Sequence, residues 1–210
     1  GLLETITKIH CLSYIEPNGK EVKTHTTYQG IKDFLSKATA LIGHNIIRYD
    51  VIALEKVLGV EIKHKLYDTL AMSWVFNPDR PKHGLDSFFP DYGIEKPKIT
   101  DWEGLTIEEY TNRCEQDVLI NQALWLDMIE RAEFIYKDKK ELNRFLQYLT
   151  FKMKCAAKQE QLGWRICKDT VSKSIATLTK QQEEKLEELK SVMPLQKVYV
   201  TRKMPKVMQT

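Results

Sequence analysis

The sequence predicts an α/β fold followed by a helical C-terminal segment, and three observations support this. Within residues 1–135, short stretches with the apolar periodicity of strands alternate with stretches of helical periodicity. From residue 136 onward only helical periodicity recurs. The charge balance changes at the same place: residues 136–210 hold 17 Lys and Arg against 8 Asp and Glu, which leaves 15 against 21 for residues 1–135 out of 32 and 29 in the whole chain. We therefore predict one domain over residues 1–135 and a separate helical segment over residues 136–210.

The first elements are predicted to be a β-hairpin, a helix and a buried strand. Polar and apolar residues alternate over residues 7–15, and a Pro-Asn-Gly-Lys turn signal separates them from a second strand-like stretch, residues 22–27. In residues 30–38 the apolar side chains have the spacing of one helix face. The apolar residues 40–43 then indicate a buried strand.

A second helix and strand are predicted to follow. Residues 51–58 have helical spacing and end at Gly59, and residues 62–67 alternate as in a strand. Asp68 then precedes Thr and Leu at the start of an apolar helix over residues 70–76. This arrangement is typical of an N-cap, so we interpret Asp68 as a helix cap.

The remaining elements are predicted to be helical. A short helix is expected near residues 83–88, within a stretch rich in Pro and charge. Thr106 begins a capping-box pattern ahead of a long helix. A further helix is predicted over residues 139–161, and Asp169 is expected to cap a last helix that runs through Lys190.

The composition excludes several classes of protein. With 210 residues, 42% hydrophobic and 29% charged, the chain is typical of a folded domain and not of a disordered or membrane protein. No apolar run approaches the ~18 residues that a bilayer span needs, and the first residues lack the pattern of a secretion signal. The four cysteines are widely spaced, so neither a zinc site nor a disulfide framework is predicted. We expect a cytoplasmic protein without a membrane partner.

Three aspartates are candidates for chemistry. Asp50 follows the predicted buried strand and opens a helix, where a carboxylate serves equally well as a cap or as a group that projects into a cleft. Asp117 lies in the long helix directly before three apolar residues, so it needs an exposed position or a partner such as a metal ion. For Asp68 the N-cap interpretation is sufficient.

Several segments of the chain resemble one enzyme family. The matching segments are residues 1–11, 44–50, 67–70, 83–85 and 115–118. In order and spacing they are similar to the 3′–5′ proofreading exonuclease domain, of the DEDD superfamily, in family A DNA polymerases of short-tailed phages. Residues 158–164 and 169–170 are similar to the helical segment that links this domain to the polymerase thumb.

The resemblance implies a ribonuclease H-like mixed sheet flanked by helices, and hydrolysis of 3′-terminal nucleotides of DNA by two-metal-ion catalysis. Asp50 and Asp117 match two of the family's four catalytic, metal-binding carboxylates, and oxygen ligands suit Mg²⁺ or Mn²⁺. The other two form an Asp-x-Glu pair, which the family carries just upstream of the segment matching residues 1–4. Because the 210 residues do not contain this pair, we expect them alone to bind metal weakly and to be inactive or impaired.

The resemblance also assigns further site residues. Arg113 occupies the position of a tyrosine that orients the attacking water in one subclass of the family. We interpret Arg113 as a catalytic-site residue that either contacts a phosphate or forms an ion pair with Asp117. Leu2, Asn45 and Tyr49 match residues beside the frayed 3′ end, where apolar contact and stacking bind a single strand.

The implied partners are the 3′ end of single-stranded DNA and the polymerase domain of a full-length chain, in the cytoplasm of a host cell if the source is a phage. Two other hypotheses stay open. A protein with the same fold can bind single-stranded DNA or brace a polymerase without catalysis, or it can act on RNA as a ribonuclease. The positive charge of residues 136–210 indicates either contact with a polyanion or a solvated surface.

Overall fold

The computed structural model describes residues 2–17, 19–94, 99 and 104–193 of the chain. The chain divides into two compact units, residues 1–162 and residues 163–210. The first unit holds all of the described strands, and the second holds one long helix. The structure is therefore mixed α/β, and helices predominate.

The first unit begins with a short helix and the predicted β-hairpin. Helix α1 covers Leu2–Thr5, and strands β1 (Leu12–Tyr14) and β2 (Lys23–His25) pair in antiparallel orientation. Ser13 lies opposite Thr24, and their side-chain hydroxyl groups form a hydrogen bond of 2.9 Å. The predicted hairpin is confirmed, with strands shorter than the alternating sequence pattern.

A β-α-β unit follows the hairpin. Helix α2 (Tyr28–Lys37) leads to strand β3 (Ala40–Gly43), helix α3 (Asp50–Leu58) and strand β4 (Lys65–Asp68). Strands β3 and β4 pair in parallel. The prediction that β3 is buried is wrong: its residues alternate between exposed and half-buried, because one face of the strand packs on the core through Leu41 while the other face carries the exposed Ile42.

Helices complete the first unit. They are α4 (Thr69–Phe76), a 3₁₀ turn (Leu85–Ser87), α5 (Phe89–Tyr92), α6 (Ile107–Ile135) and α7 (Lys139–Leu162). Two predicted helix starts are confirmed. The Asp68 side chain accepts a hydrogen bond from the Leu70 amide, and Thr106 forms a complete capping box with Glu109.

Helix α7 belongs to the first unit, so the predicted boundary at residue 135 falls inside that unit. This helix packs against β4 and α4. The buried Thr150 hydroxyl on α7 donates a 2.8 Å hydrogen bond to the backbone carbonyl of Leu66 in β4. An amphipathic pattern in the sequence indicates that a helix has a buried face, but it does not identify the element that covers that face.

The second unit contains helix α8 (Lys168–Val192), all of whose residues are exposed. The predicted cap at Asp169 is wrong. The helix begins after Cys167, which makes no side-chain capping hydrogen bond, and Asp169 lies in the first turn. A carboxylate in the first turn is favourable to the helix dipole without capping the end, which explains why the sequence pattern resembles a cap.

The core of the first unit is built around α6. Its residues Ile120, Leu124, Met128 and Ala132 recur every four positions and are fully buried, so they form one continuous stripe. The described strands form two separate sheets of two strands each, β1 with β2 and β3 with β4. Across the described ranges, no helix is both long enough and apolar enough to cross a membrane.

We predict that Leu124→Ala lowers the free energy of unfolding of the first unit by about 2–5 kcal/mol, because it removes a fully buried side chain and leaves a cavity. Leu126→Ala is the matched control, since Leu126 lies two positions away on the same helix and is 57% exposed. Its expected effect is about 0.5 kcal/mol. Chemical denaturation measures both values, and equal effects would contradict the placement of α6.

Candidate functional site

A cleft of about 500 Å³ opens in the first unit between the β-hairpin, strand β3 and helices α3 and α6. Residues 8–14 line one side of it, and residues 41–44 line another. Asp50 and Asp117 both line this cleft. The fold thus brings together two carboxylates that lie far apart in the sequence.

Asp50 enters the cleft from the start of α3. The N-cap residue of this helix is Tyr49, which makes no side-chain capping bond, so Asp50 is the first helical residue and not the cap. Asp50 is exposed to water. Protein atoms packed near its carboxyl group nevertheless disfavour the charged form and raise the pKa of Asp50. Negative charge on Asp68 and Asp117 acts in the same direction.

Asp117 projects from α6 beside a positive charge. Arg113 lies one helical turn earlier, and its Nε is 3.9 Å from Asp117 Oδ2. The Arg113 Nη2 is 3.3 Å from Asp86 Oδ1, and the arginine side chain is 15% exposed. Arg113 therefore lies between the carboxylates of Asp86 and Asp117. Its ion pair with Asp117 is one of the two roles predicted for it, the other being a phosphate contact.

Asp68 anchors the loop that leads to Asp50. It is 3% exposed, and its Oδ1 accepts hydrogen bonds of 3.0 Å from the backbone amides of Asn45 and Leu70. Its Oδ2 accepts a 3.4 Å hydrogen bond from the amide of Ile47. The interpretation as an N-cap is confirmed by the bond from Leu70. The two bonds to the loop were not predicted, because no local pattern encodes a contact between residues so far apart.

A second polar contact joins the first residue of α4 to α6 and to the same loop. The Thr69 hydroxyl is fully buried, and it donates a 2.7 Å hydrogen bond to Asn121 Oδ1. His44 Nδ1 lies 3.0 Å from the same hydroxyl oxygen. Asn121 lines the cleft one helical turn after Asp117. Sequence reasoning missed Asn121, although its spacing places it on the same helix face as Asp117.

The three proposed substrate-binding residues have different placements. Tyr49 lines the cleft beside Asp50, and burial raises its pKa. Asn45 lies in the loop held by Asp68, with φ +59°, and is not among the residues that line the cleft. The Leu2 side chain lies outside the described residues, so its role stays a prediction.

Comparisons with known proteins identify no family for this chain. Its sequence matches no protein-family model, and a search of curated proteins finds no match. Within the part of the chain that the structure describes, no three His, Cys, Asp or Glu side chains are grouped so that they hold a metal ion. The site is therefore interpreted from its own geometry.

We predict that Asp68→Ala accelerates amide hydrogen exchange at Asn45 and Ile47 by roughly 10- to 100-fold, because both amides lose their acceptor and the loop opens more often. Exchange measured by NMR tests this. Asp79→Ala is the control, since Asp79 is an exposed carboxylate in a turn. Unchanged protection of Asn45 and Ile47 in Asp68→Ala would show that Asp68 does not hold the loop.

Proposed function

We propose that this chain is a 3′–5′ exonuclease domain of the DEDD type that removes nucleotides from a DNA 3′ end, as in the proofreading domain of a family A DNA polymerase. One observation carries the proposal. Asp50 and Asp117, the two carboxylates that the sequence resemblance assigns to metal binding, line one open cleft. Tyr49 lines it too, next to Asp50, where an aromatic ring can stack on a terminal base.

The donor chemistry of the cleft fits a divalent cation. Carboxylate oxygens are the ligands that Mg²⁺ and Mn²⁺ prefer. Nearby negative charge contributes to the raised pKa of Asp50, and a cation bound between Asp50 and Asp117 would offset that repulsion. When bound, such ions supply an activated water and neutralise charge on the scissile phosphate. Asp50 and Asp117 account for two of the four carboxylates in the proposed site.

The shape of the cleft supports a ribonuclease H-like sheet. Residues of β1 and β3 line it from different sides, and it adjoins a second pocket of about 720 Å³ lined by some of the same residues, such as Tyr14 and Ile42. We propose that a strand carrying the Asp-x-Glu pair lies in the second pocket, pairs with β1 and β3 there, and joins the two small sheets into one mixed sheet, which leaves the cleft at Asp50 and Asp117 open. The pair would then lie next to Asp50 and Asp117.

The proposed partners follow from the same resemblance. The substrate is the 3′ end of single-stranded DNA, and the exonuclease works beside a polymerase domain of the full-length protein in the cytoplasm, which is that of the host cell if the source is a phage. The excess of Lys and Arg in residues 136–210 favours electrostatic contact with the phosphate backbone. Such contact would add affinity without sequence preference.

Arg113 favours a second candidate function, a module that binds single-stranded DNA without cleaving it. Its guanidinium lies 3.9 Å from Asp117, so the carboxylate has a cationic neighbour without a metal ion. In the family that the sequence resembles, the corresponding position holds a tyrosine that orients water. An arginine there suits a phosphate contact better than the orientation of water.

The sequence encoded upstream of Gly1 gives the first test, because the proposed catalysis requires an Asp-x-Glu pair there. For protein that includes this pair, we predict Mg²⁺-dependent shortening of single-stranded DNA from its 3′ end. Asp50→Asn and Asp117→Asn each remove a metal ligand worth several kcal/mol in the transition state, so each should slow shortening by roughly 100-fold or more. Asp79→Asn is the control and should retain the parent rate.

Metal binding and DNA binding separate the two candidate functions. Under the exonuclease proposal, Mn²⁺ affinity measured by calorimetry falls in Asp50→Asn and Asp117→Asn, whereas single-stranded DNA still binds. Under the binding-module hypothesis, the Asp-x-Glu pair is absent from the gene, DNA binds without a divalent ion, and Arg113→Ala weakens that binding. Normal shortening by both Asn variants would exclude the assigned site.

A further inference from the structure

The cleft contains a pair of cysteines that the proposed function does not use. Cys11 directly precedes β1, and Cys114 lies in the second turn of α6. Both side chains are half-buried, and both line the cleft. The hairpin packs directly against α6, so residues distant in the sequence face each other here.

The two thiols are in hydrogen-bonding contact. Cys11 donates to the Cys114 sulfur, which also accepts from the backbone amide of Ser13. These bonds lower the pKa of Cys114 and raise that of Cys11, although burial and the charge of Asp117 oppose the effect at Cys114. The hairpin and α6 thus place two half-buried thiols next to each other in one cleft, so that either thiol can resolve a mixed disulfide formed at the other.

We propose that Cys11 and Cys114 are a redox modification site, at which a small disulfide oxidant such as glutathione disulfide converts the two thiols into an intramolecular disulfide. The Cys114 thiolate attacks one sulfur of the oxidant, its S–S bond breaks, and one glutathione leaves as a thiol after taking up a proton. Cys11 then loses its proton and attacks the Cys114 sulfur, which releases the second glutathione. Two protein thiols and one disulfide give one protein disulfide and two glutathione thiols.

The disulfide would connect the residue before β1 to the same helical turn of α6 that carries Asp117. It would therefore fix the wall of the cleft without removing either carboxylate. Cys155 and Cys167 provide internal controls, because both are exposed. The proposal does not depend on nuclease activity, since its readout is a covalent mass.

The test uses the full chain, reduced and then equilibrated in glutathione buffers with an increasing disulfide fraction. Remaining thiols are alkylated, and peptides are mapped without reduction. The expected result is a cross-link between the peptides that contain Cys11 and Cys114, with the loss of two hydrogen atoms, while Cys155 and Cys167 carry glutathione. Dithiothreitol should reverse the cross-link. If Cys11 and Cys114 stay free or carry only glutathione once Cys155 is fully modified, the proposal is wrong.

Single variants identify the attacking and resolving thiols. Cys11→Ser should accumulate glutathione at Cys114, because no second thiol resolves the mixed disulfide, and Cys114→Ser should form no cross-link at Cys11. Cys155→Ser and Cys167→Ser should form the same cross-link as the parent. Circular dichroism of each reduced variant checks its fold, and Cys11→Ser alone is sufficient if Cys114→Ser does not fold. Loss of the cross-link in Cys155→Ser would contradict the assigned pair.

Discussion

Two backbone hydrogen bonds to the carboxylate of Asp68, from the amides of Asn45 and Ile47, hold the loop through which the chain enters the candidate site. The last residues of the parallel strands β3 and β4, Gly43 and Asp68, lie opposite each other, so the loop after β3 starts beside this carboxylate. Asn45 adopts φ +59° there, a conformation that costs energy in a residue other than glycine. The bonds from the amides of Asn45 and Ile47 offset this cost and direct the chain toward Asp50.

Gly43 satisfies a second requirement of the same loop. A Cβ atom at this position would lie 2.8 Å from side-chain atoms of Ile46, closer than such atoms approach in proteins. The chain can therefore fold back over the end of β3 only because residue 43 is glycine. Ile46 and Ile47 are then buried in the core, and Asp50 follows at the edge of the cleft. Local close packing and the carboxylate of Asp68 thus act together to position one site residue.

Local signals in the sequence are sufficient to predict single helices and strands, but not how these elements pack together. The capping box at Thr106, the cap at Asp68 and the helix end at Gly59 all depend on groups within four residues of one another, and the structure has each of them. The contact between Asp68 and Asn45 joins residues 23 positions apart in the sequence. The hydrogen bond between α7 and β4 joins residues 84 positions apart. Such contacts depend on three-dimensional packing, which periodicity does not encode. The resemblance, and not local physics, connects Asp50 with Asp117 and predicts that both are site residues.

The negative charges of Asp50 and Asp117 are offset in two different ways. At Asp50, the protein atoms around the carboxyl group and the neighbouring negative charges favour the protonated form and so raise its pKa. At Asp117, the guanidinium of Arg113 lies close enough to compensate the charge directly. A divalent cation between the two carboxylates would act on both, since it would favour ionised Asp50 and compete with Arg113 for Asp117. Metal binding at this site would therefore favour ionised Asp50 and weaken the ion pair of Asp117 with Arg113, whereas binding of DNA phosphates alone would do neither.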